Sequence, residues 1–182
     1  MRLQLQRKLI ITPVHISIIK GSIILAILVI IALILWPLVR ETWIMNRRRA
    51  QMQACESKLK QLSQAMLLYA ADWDEHRPSS EHWGRSIAPF VSPKSDVDSA
   101  FHCPGAVSPY SYAFNRSLSN LALKQIKSPE DTIQLFEADV SSIDASGDDR
   151  LRTVIPRHRG LNVACADGHT KFAGSYGLRW QP

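Results

Sequence analysis

The chain has 182 residues and a formal net charge of +6, which at first favours nucleic-acid binding. The charge is uneven: residues 1–49 hold eight Lys/Arg and one acid, whereas residues 50–182 hold fourteen Lys/Arg and fifteen acids. The basic excess therefore flanks the apolar stretch described next, where it would face lipid headgroups. Since the remaining residues show no basic stripe, we expect no nucleic-acid partner, and about 130 residues suit one small domain.

Residues 21–39, GSIILAILVIIALILWPLV, contain no charge between Lys20 and Arg40. A helix of this length extends roughly 28 Å, close to the hydrocarbon thickness of a bilayer. A buried core helix would usually carry a polar stripe. A cleaved signal peptide would usually be shorter and be followed by a small-residue cleavage site. We therefore predict a transmembrane helix over 21–39 after a tail of residues 1–20, although four basic residues on each side leave its orientation open.

The next stretch, residues 40–73, is predicted to be an amphipathic helix because it contains no Gly or Pro and has one apolar seam. The seam residues, spaced alternately by three and four, are Met52, Cys55, Leu59, Leu62, Met66, Tyr69 and Trp73. A coiled-coil dimer is the alternative, but Cys, Tyr and Trp make a poor zipper seam. We expect the seam to pack against the chain's own domain.

Residues 74–182 contain short elements of another kind. A loop is predicted over 74–80 and a short helix over 83–91. Strands are predicted over 110–114, 132–138, 153–155, 161–166 and 169–173. Asp167-Gly168 joins the last two strands and is a strong hairpin signal. The order of elements predicts an α+β head with a small antiparallel sheet next to the long helix.

Candidate chemical sites are few. His158, Asp167 and His169 are not accompanied by a His-x-x-x-His, Cys-x-x-Cys or nucleophile-elbow motif, so we expect no catalytic residue, metal site, cofactor or small-molecule substrate. The acids Asp144, Asp148 and Asp149 offer oxygen ligands that suit calcium. Their spacing matches no fixed motif, and a solvated acidic loop is the favoured interpretation.

Five segments in a fixed order resemble a known family. They are WPLVRE, CESKLKQLSQAMLLYAADWDEHRP, FHCPGA followed by YSYAFN, SPEDTIQLFEAD, and RHRGLNVACADGHTKF. This layout resembles the type IV pilin-like and type II secretion pseudopilin proteins, specifically the prepilin-type processing-associated group with its C-terminal His…Asp-Gly motif. The resemblance implies a pilin-like head in which His158, Asp167 and Gly168 form a structural turn motif.

The resemblance also bears on the three cysteines. Cys55 and Cys103 have counterparts in the family, whose orientation places the head in an oxidising space where disulfides persist. It implies a Cys55–Cys103 disulfide with Cys165 as a buried thiol, and three unpaired thiols remain the alternative.

Three positions depart from the family pattern. Only eight residues separate His158 from Asp167, where the group has nine. Gly21-Ser22 resembles a relic of a prepilin cleavage site, but Ala26 stands where a glutamate is expected. Counting back from the helix proline, Pro37, leads instead to Ile16, which no Gly precedes. These departures put N-terminal processing, and with it filament assembly, in question.

The resemblance implies a divergent pseudopilin-like component of a type II secretion or type IV pilus-like assembly, structural rather than catalytic. It would lie in a bacterial cytoplasmic membrane with its N-terminus inside and its head outside. Its partners would be the lipid bilayer and other pilin-like subunits. The alternative is a non-polymerising anchored domain that binds a ligand or an envelope partner.

Overall fold

The computed structural model describes residues 13–91, 97–148, 160–173 and 179–182. Its first element is a single helix, α1 (Pro13–Asp72), that includes both predicted helical segments and has Pro37 inside it. The helix ends one residue before the predicted limit of 73, and a tight turn follows it, with positive φ at Asp74 and Glu75. Helix α1 is long and apolar enough to cross a membrane, by length and composition.

The chain divides into two compact units between Asn46 and Arg47. In the first unit, the large apolar side chains of α1 from Ile23 to Val39 are exposed, as Trp36 illustrates at 71%. The second unit is the head, which contains the remainder of α1 and all other elements.

Two short helices follow α1 in the head. Helix α2 (Trp83–Ile87) continues into a 3-10 turn (Ala88–Phe90), so the helix predicted over 83–91 is present but changes type. Pro89 lies in this 3-10 turn, and its missing N–H limits continuation of the α-helix. Helix α3 (Val97–Ala100) was not predicted, because four residues are too few to show helical periodicity.

The head has a five-stranded sheet. Its strands are β1 (Tyr110–Asn115), β2 (Ile133–Val140), β3 (Ser146–Gly147), β4 (Leu161–Cys165) and β5 (Thr170–Ala173), in the spatial order β3-β1-β2-β4-β5. Three of the pairings are antiparallel, but β3 pairs with β1 in parallel. The expected antiparallel sheet is therefore corrected to a mixed sheet, since two residues at an edge carry no alternation to detect. The strand predicted over 153–155 lies outside the described residues.

Neighbouring side chains of β2 point to opposite faces of the sheet, and each face carries a hydrophobic cluster. Leu135 belongs to the cluster that contains Leu59 and Leu62 of α1, whereas the neighbouring Phe136 belongs to a second cluster with Val163. The ring of Trp180 packs edge-to-face on Phe136 with centroids 4.9 Å apart. The sheet thus has one face on α1 and its other face partly covered by the C-terminal segment.

The predicted seam of α1 is buried over its middle. Cys55, Leu59, Leu62 and Met66 are fully buried. Met52 and Tyr69, nearer the two ends of the seam, are half-buried.

The end of the seam was predicted wrongly. Trp73 is 51% exposed because it lies just past the last residue of α1. There it stacks on Tyr69 instead of entering the core.

Candidate functional site

A disulfide joins Cys55 of α1 to Cys103, the pair that the resemblance implies. Both residues are fully buried, and their Cα atoms are 4.9 Å apart. The Ser111 hydroxyl accepts a hydrogen bond from the Cys103 backbone N–H at 2.9 Å, and the Tyr112 hydroxyl donates to the Cys55 carbonyl at 2.9 Å. The bond closes a loop with a sequence separation of 48 residues. In the chain-entropy model such a link contributes about 4 kcal/mol.

The third cysteine, Cys165 of β4, is a free and fully buried thiol. Burial raises the pKa of this thiol to about 11, which keeps it neutral and unreactive at ordinary pH. It therefore acts as a small apolar core residue.

A buried carboxylate lies beside the disulfide. The Glu137 carboxylate accepts hydrogen bonds from the Asn162 side-chain amide at 2.9 Å and from its backbone N–H at 3.2 Å. Its oxygen and the two sulfurs lie within 4.8 Å of one another, a separation that would suit a shared metal ion. Because the sulfurs are bonded to each other, neither is available as a thiolate ligand. The sequence did not indicate this group, since a Glu in an apolar strand is normally assigned to the solvent face.

The closing hairpin turn is docked on α1. Gly168 has φ +99°, a conformation that favours glycine, and its carbonyl accepts a hydrogen bond from the Ser63 hydroxyl at 3.1 Å. A Cβ on Gly168 would collide with the Leu67 side chain. The Arg77 guanidinium donates to the carbonyl of Ala166, one residue before the turn. The Asp-Gly motif thus places the β4–β5 turn against the helix.

Arg77 is a buried cation that sequence reasoning missed, since its segment DEHRP resembles a solvated loop. Its side chain is almost fully buried, and within the described part of the chain its Nε and Nη1 atoms have no hydrogen-bond partner. Burial lowers the pKa of Arg77 to about 10, and the charge of Glu75 opposes that shift. One hydrogen bond from this guanidinium fixes the hairpin.

Of the three candidate residues His158, Asp167 and His169, the structure describes two. Asp167 pairs with the His169 ring through its Oδ1 atom, and both side chains are partly exposed. His158 lies outside the described residues. Among the described residues, the motif therefore forms a partly exposed contact between Asp167 and His169 at the turn.

The acidic loop is only partly described. Asp144 pairs with Arg85 Nε at 3.2 Å and accepts the Arg85 backbone N–H at 3.0 Å, with its own side chain 7% exposed. Asp148 follows β3, and Asp149 lies outside the described residues. The Asp144 carboxylate is thus engaged by a cation of the chain itself.

The proposed cleavage relic, Gly21-Ser22, lies inside α1. A Cβ at Gly21 would meet nothing within 4 Å, so no packing constraint explains a glycine there.

Comparisons with known proteins give no relative: no family model matches the chain, and neither a curated protein nor a solved structure shows significant similarity to it.

Proposed function

We propose that the chain is a membrane-anchored structural subunit of a pilin-like assembly, resembling the pseudopilins of type II secretion or type IV pilus-like systems. The observation that carries the proposal is the division of α1 into two environments. Its apolar stretch is exposed in the first unit, whereas the part that follows has one face buried in the disulfide-linked head. In this proposal the exposed apolar stretch is both the membrane anchor and a contact surface between subunits.

The disulfide supports an extracytoplasmic head. Buried disulfides persist in oxidising compartments and are rare in the cytoplasm, so Cys55–Cys103 fits a head outside the membrane and an N-terminus inside. The turn motif at Asp167-Gly168 has a structural role in this proposal, because its contacts hold the hairpin to α1. Neither feature requires a catalytic group.

One observation favours the alternative, a non-polymerising anchored domain that binds a ligand or an envelope partner. Ala26 stands where the resemblance expects a glutamate that would pair with a neighbouring subunit. We expect the N-terminus not to be processed at Gly21 for the same reason. Mass spectrometry of the chain isolated from bacterial membranes tests this, and a mature chain beginning at methylated Ser22 would contradict it.

Co-isolation of two differently tagged full-length chains tests assembly. The chains are produced in the same bacterium, extracted in mild detergent and captured by one tag. We expect the second tag in the captured fraction. Membranes from two strains that each produce one tagged chain, mixed after extraction, are the control for association after lysis. Capture of a single chain with a different envelope protein would favour the alternative.

A further inference from the structure

The end of α1 forms an exposed aromatic and acidic surface, which we call the acidic corner: Tyr69, Asp72, Trp73, Asp74 and Glu75. The Trp73 ring stacks on Tyr69 with centroids 4.5 Å apart and planes 5° from parallel. The Phe90 ring meets Trp73 edge-on at 6.2 Å, so the indole is held on two sides. Half of Trp73 nevertheless remains exposed. The result is a fixed aromatic surface open to a partner.

The three acids of the acidic corner interact unfavourably with the dipole of helix α1. The last turn of a helix carries partial negative charge from its carbonyl groups, and a basic residue there is the favourable choice. Helix α1 has no basic residue in its last turn and ends in Asp72. Asp74 and Glu75 follow in the left-handed region, with φ of 48° and 61°, a costly conformation for Glu. Together they concentrate negative charge beside the indole.

The chain gives this charge little compensation. In the described part of the molecule, neither Asp72 nor Asp74 forms an ion pair. Glu75 lies near the buried Arg77, whose hydrogen bond is to the Ala166 carbonyl. A cation supplied from outside the chain would therefore meet both the acids and the exposed part of the Trp73 indole, since cations are attracted to aromatic rings.

Positive charge that complements the acidic corner lies at the N-terminal end of the part of α1 that belongs to the head. Arg47, Arg48 and Arg49 form the arginine segment, in which Arg48 and Arg49 are exposed. Twenty-four residues of helix separate Arg48 from Asp72, which corresponds to about 36 Å. The arginine segment therefore cannot reach the acidic corner of the same chain.

We propose that the acidic corner binds the arginine segment of a second copy of this chain. This inference rests on the proposed assembly function and names one of its contacts. Three formal positive charges meet three formal negative charges, and a guanidinium can approach the exposed part of the Trp73 indole. Because the two surfaces differ, the contact is head-to-tail and leaves both ends open for further copies.

Charge reversal in the full-length chain tests the contact. Asp72→Lys with Asp74→Lys changes the acidic corner from −3 to +1, and Arg48→Glu with Arg49→Glu changes the arginine segment from +3 to −1. Sedimentation in uncharged detergent measures self-association. Each double variant should associate about ten-fold more weakly, as two lost surface pairs imply. A mixture of the two variants, and the chain carrying all four changes, should regain association.

Matched controls reverse two exposed charges elsewhere. They are Glu81→Lys with Glu130→Lys and Lys124→Glu with Lys127→Glu, and both should associate like the natural chain. Trp73→Ala should weaken association about two- to five-fold through the lost cation–π contact. Thermal unfolding of each variant identifies any that fail to fold, and Asp74→Asn, which tolerates the left-handed conformation, then replaces Asp74→Lys.

Three results would overturn the inference. Unchanged association in both reversed variants would place the contact elsewhere and leave the proposed assembly standing. Weakening by the arginine reversal without recovery in the mixture would mean that Arg48 and Arg49 contact a surface other than the acidic corner. A natural chain that is monomeric at every concentration would remove the inference together with the proposed function.

Discussion

Individual side chains on the buried face of α1 hold the head together. Leu59, Leu62 and Met66 are fully buried and belong to the cluster that includes Trp83 and Phe114. Burial of a side chain of this size contributes roughly 1.5–3 kcal/mol in transfer free energy. The link between sequence and packing is direct here, because the seam visible in the sequence is the face that meets the sheet.

Truncation of Leu62 tests this packing. Leu62→Ala should lower the free energy of unfolding of the head by about 2–5 kcal/mol, because it removes buried methyl groups and leaves a cavity. The exposed Lys60, two residues earlier, is the matched control, and Lys60→Ala should change stability by less than about 0.5 kcal/mol. Denaturant unfolding followed by near-ultraviolet circular dichroism measures both. Equal losses from the two substitutions would mean that the seam is not the stabilising face.

Chemical labelling of the three cysteines tests the disulfide. At pH 8, without reductant, a maleimide should label no cysteine in the native chain and one, Cys165, in denaturant. After reduction in denaturant it should label all three. Two or three labelled cysteines in unreduced, denatured chain would contradict the disulfide.

The pKa of Cys165 adds a pH dependence. The thiol pKa rises on folding from its ordinary 9.0 to about 11, so folding favours the neutral form. The associated stabilisation is complete below pH 9 and is lost as the pH rises from 9 to 11. Cys165→Ala should therefore reduce the pH dependence of the unfolding free energy in this window, and an unchanged slope would contradict this.

Whether the burial of a residue could be predicted depends on the pattern that surrounds it in the sequence. The seam is periodic, so Leu59, Leu62 and Met66 were identified correctly. Arg77 and Glu137 could not be identified, because their burial depends on partners distant in sequence, the Ala166 carbonyl and Asn162. Trp73 continued the periodicity by one residue beyond the end of the helix, so it was assigned to the core wrongly.

Among the larger elements, the β4–β5 hairpin owes its position to its turn. The turn contacts α1 through the Ser63 hydroxyl and the Leu67 side chain, and it contacts the Arg77 guanidinium through Ala166. The sequence predicted the hairpin from Asp-Gly. The sequence did not predict the docking of the turn, which depends on residues about 100 positions earlier.

Replacing Gly168 tests the conformation of this turn. Gly168→Ala should destabilise the head by about 1–2 kcal/mol because of the backbone conformation, while the end of the Leu67 side chain moves to make room for the new methyl group. Gly21→Ala is the matched control, since a Cβ there meets nothing within 4 Å and the head should unfold as before. Thermal unfolding of full-length chain in detergent measures both, and a Gly168→Ala chain as stable as the control would contradict the positive φ of Gly168 in this turn.

The edge strand β3 shows where prediction of the sheet fails. Strands β1, β2, β4 and β5 were each anticipated within about two residues, because β-branched and aromatic residues alternate or cluster in them. Strand β3 has two residues, and only its hydrogen-bonded position beside Phe114 and Asn115 makes it a strand. Parallel pairing at that edge is a tertiary property without a local signal.

Considered as a whole, the chain combines an apolar helical unit with a disulfide-linked head. We expect the C-terminus, which lies in the head, to be outside the cytoplasm. A reporter that is active only outside the cytoplasm, fused after Pro182, should therefore be active in a bacterial host. A reporter that requires the cytoplasm should be inactive there, and the reverse pattern would contradict the proposed orientation.

The central claim is that the apolar stretch of α1 is a contact surface between subunits, and cross-linking within the membrane tests it most directly. A photoreactive amino acid replaces Leu28, which is 57% exposed. The same amino acid at Leu118, which is fully buried in the head, is the control. Illumination of intact membranes should give an adduct of two chains from position 28 and none from position 118. Adducts with lipid alone at position 28, at every expression level, would contradict the claim.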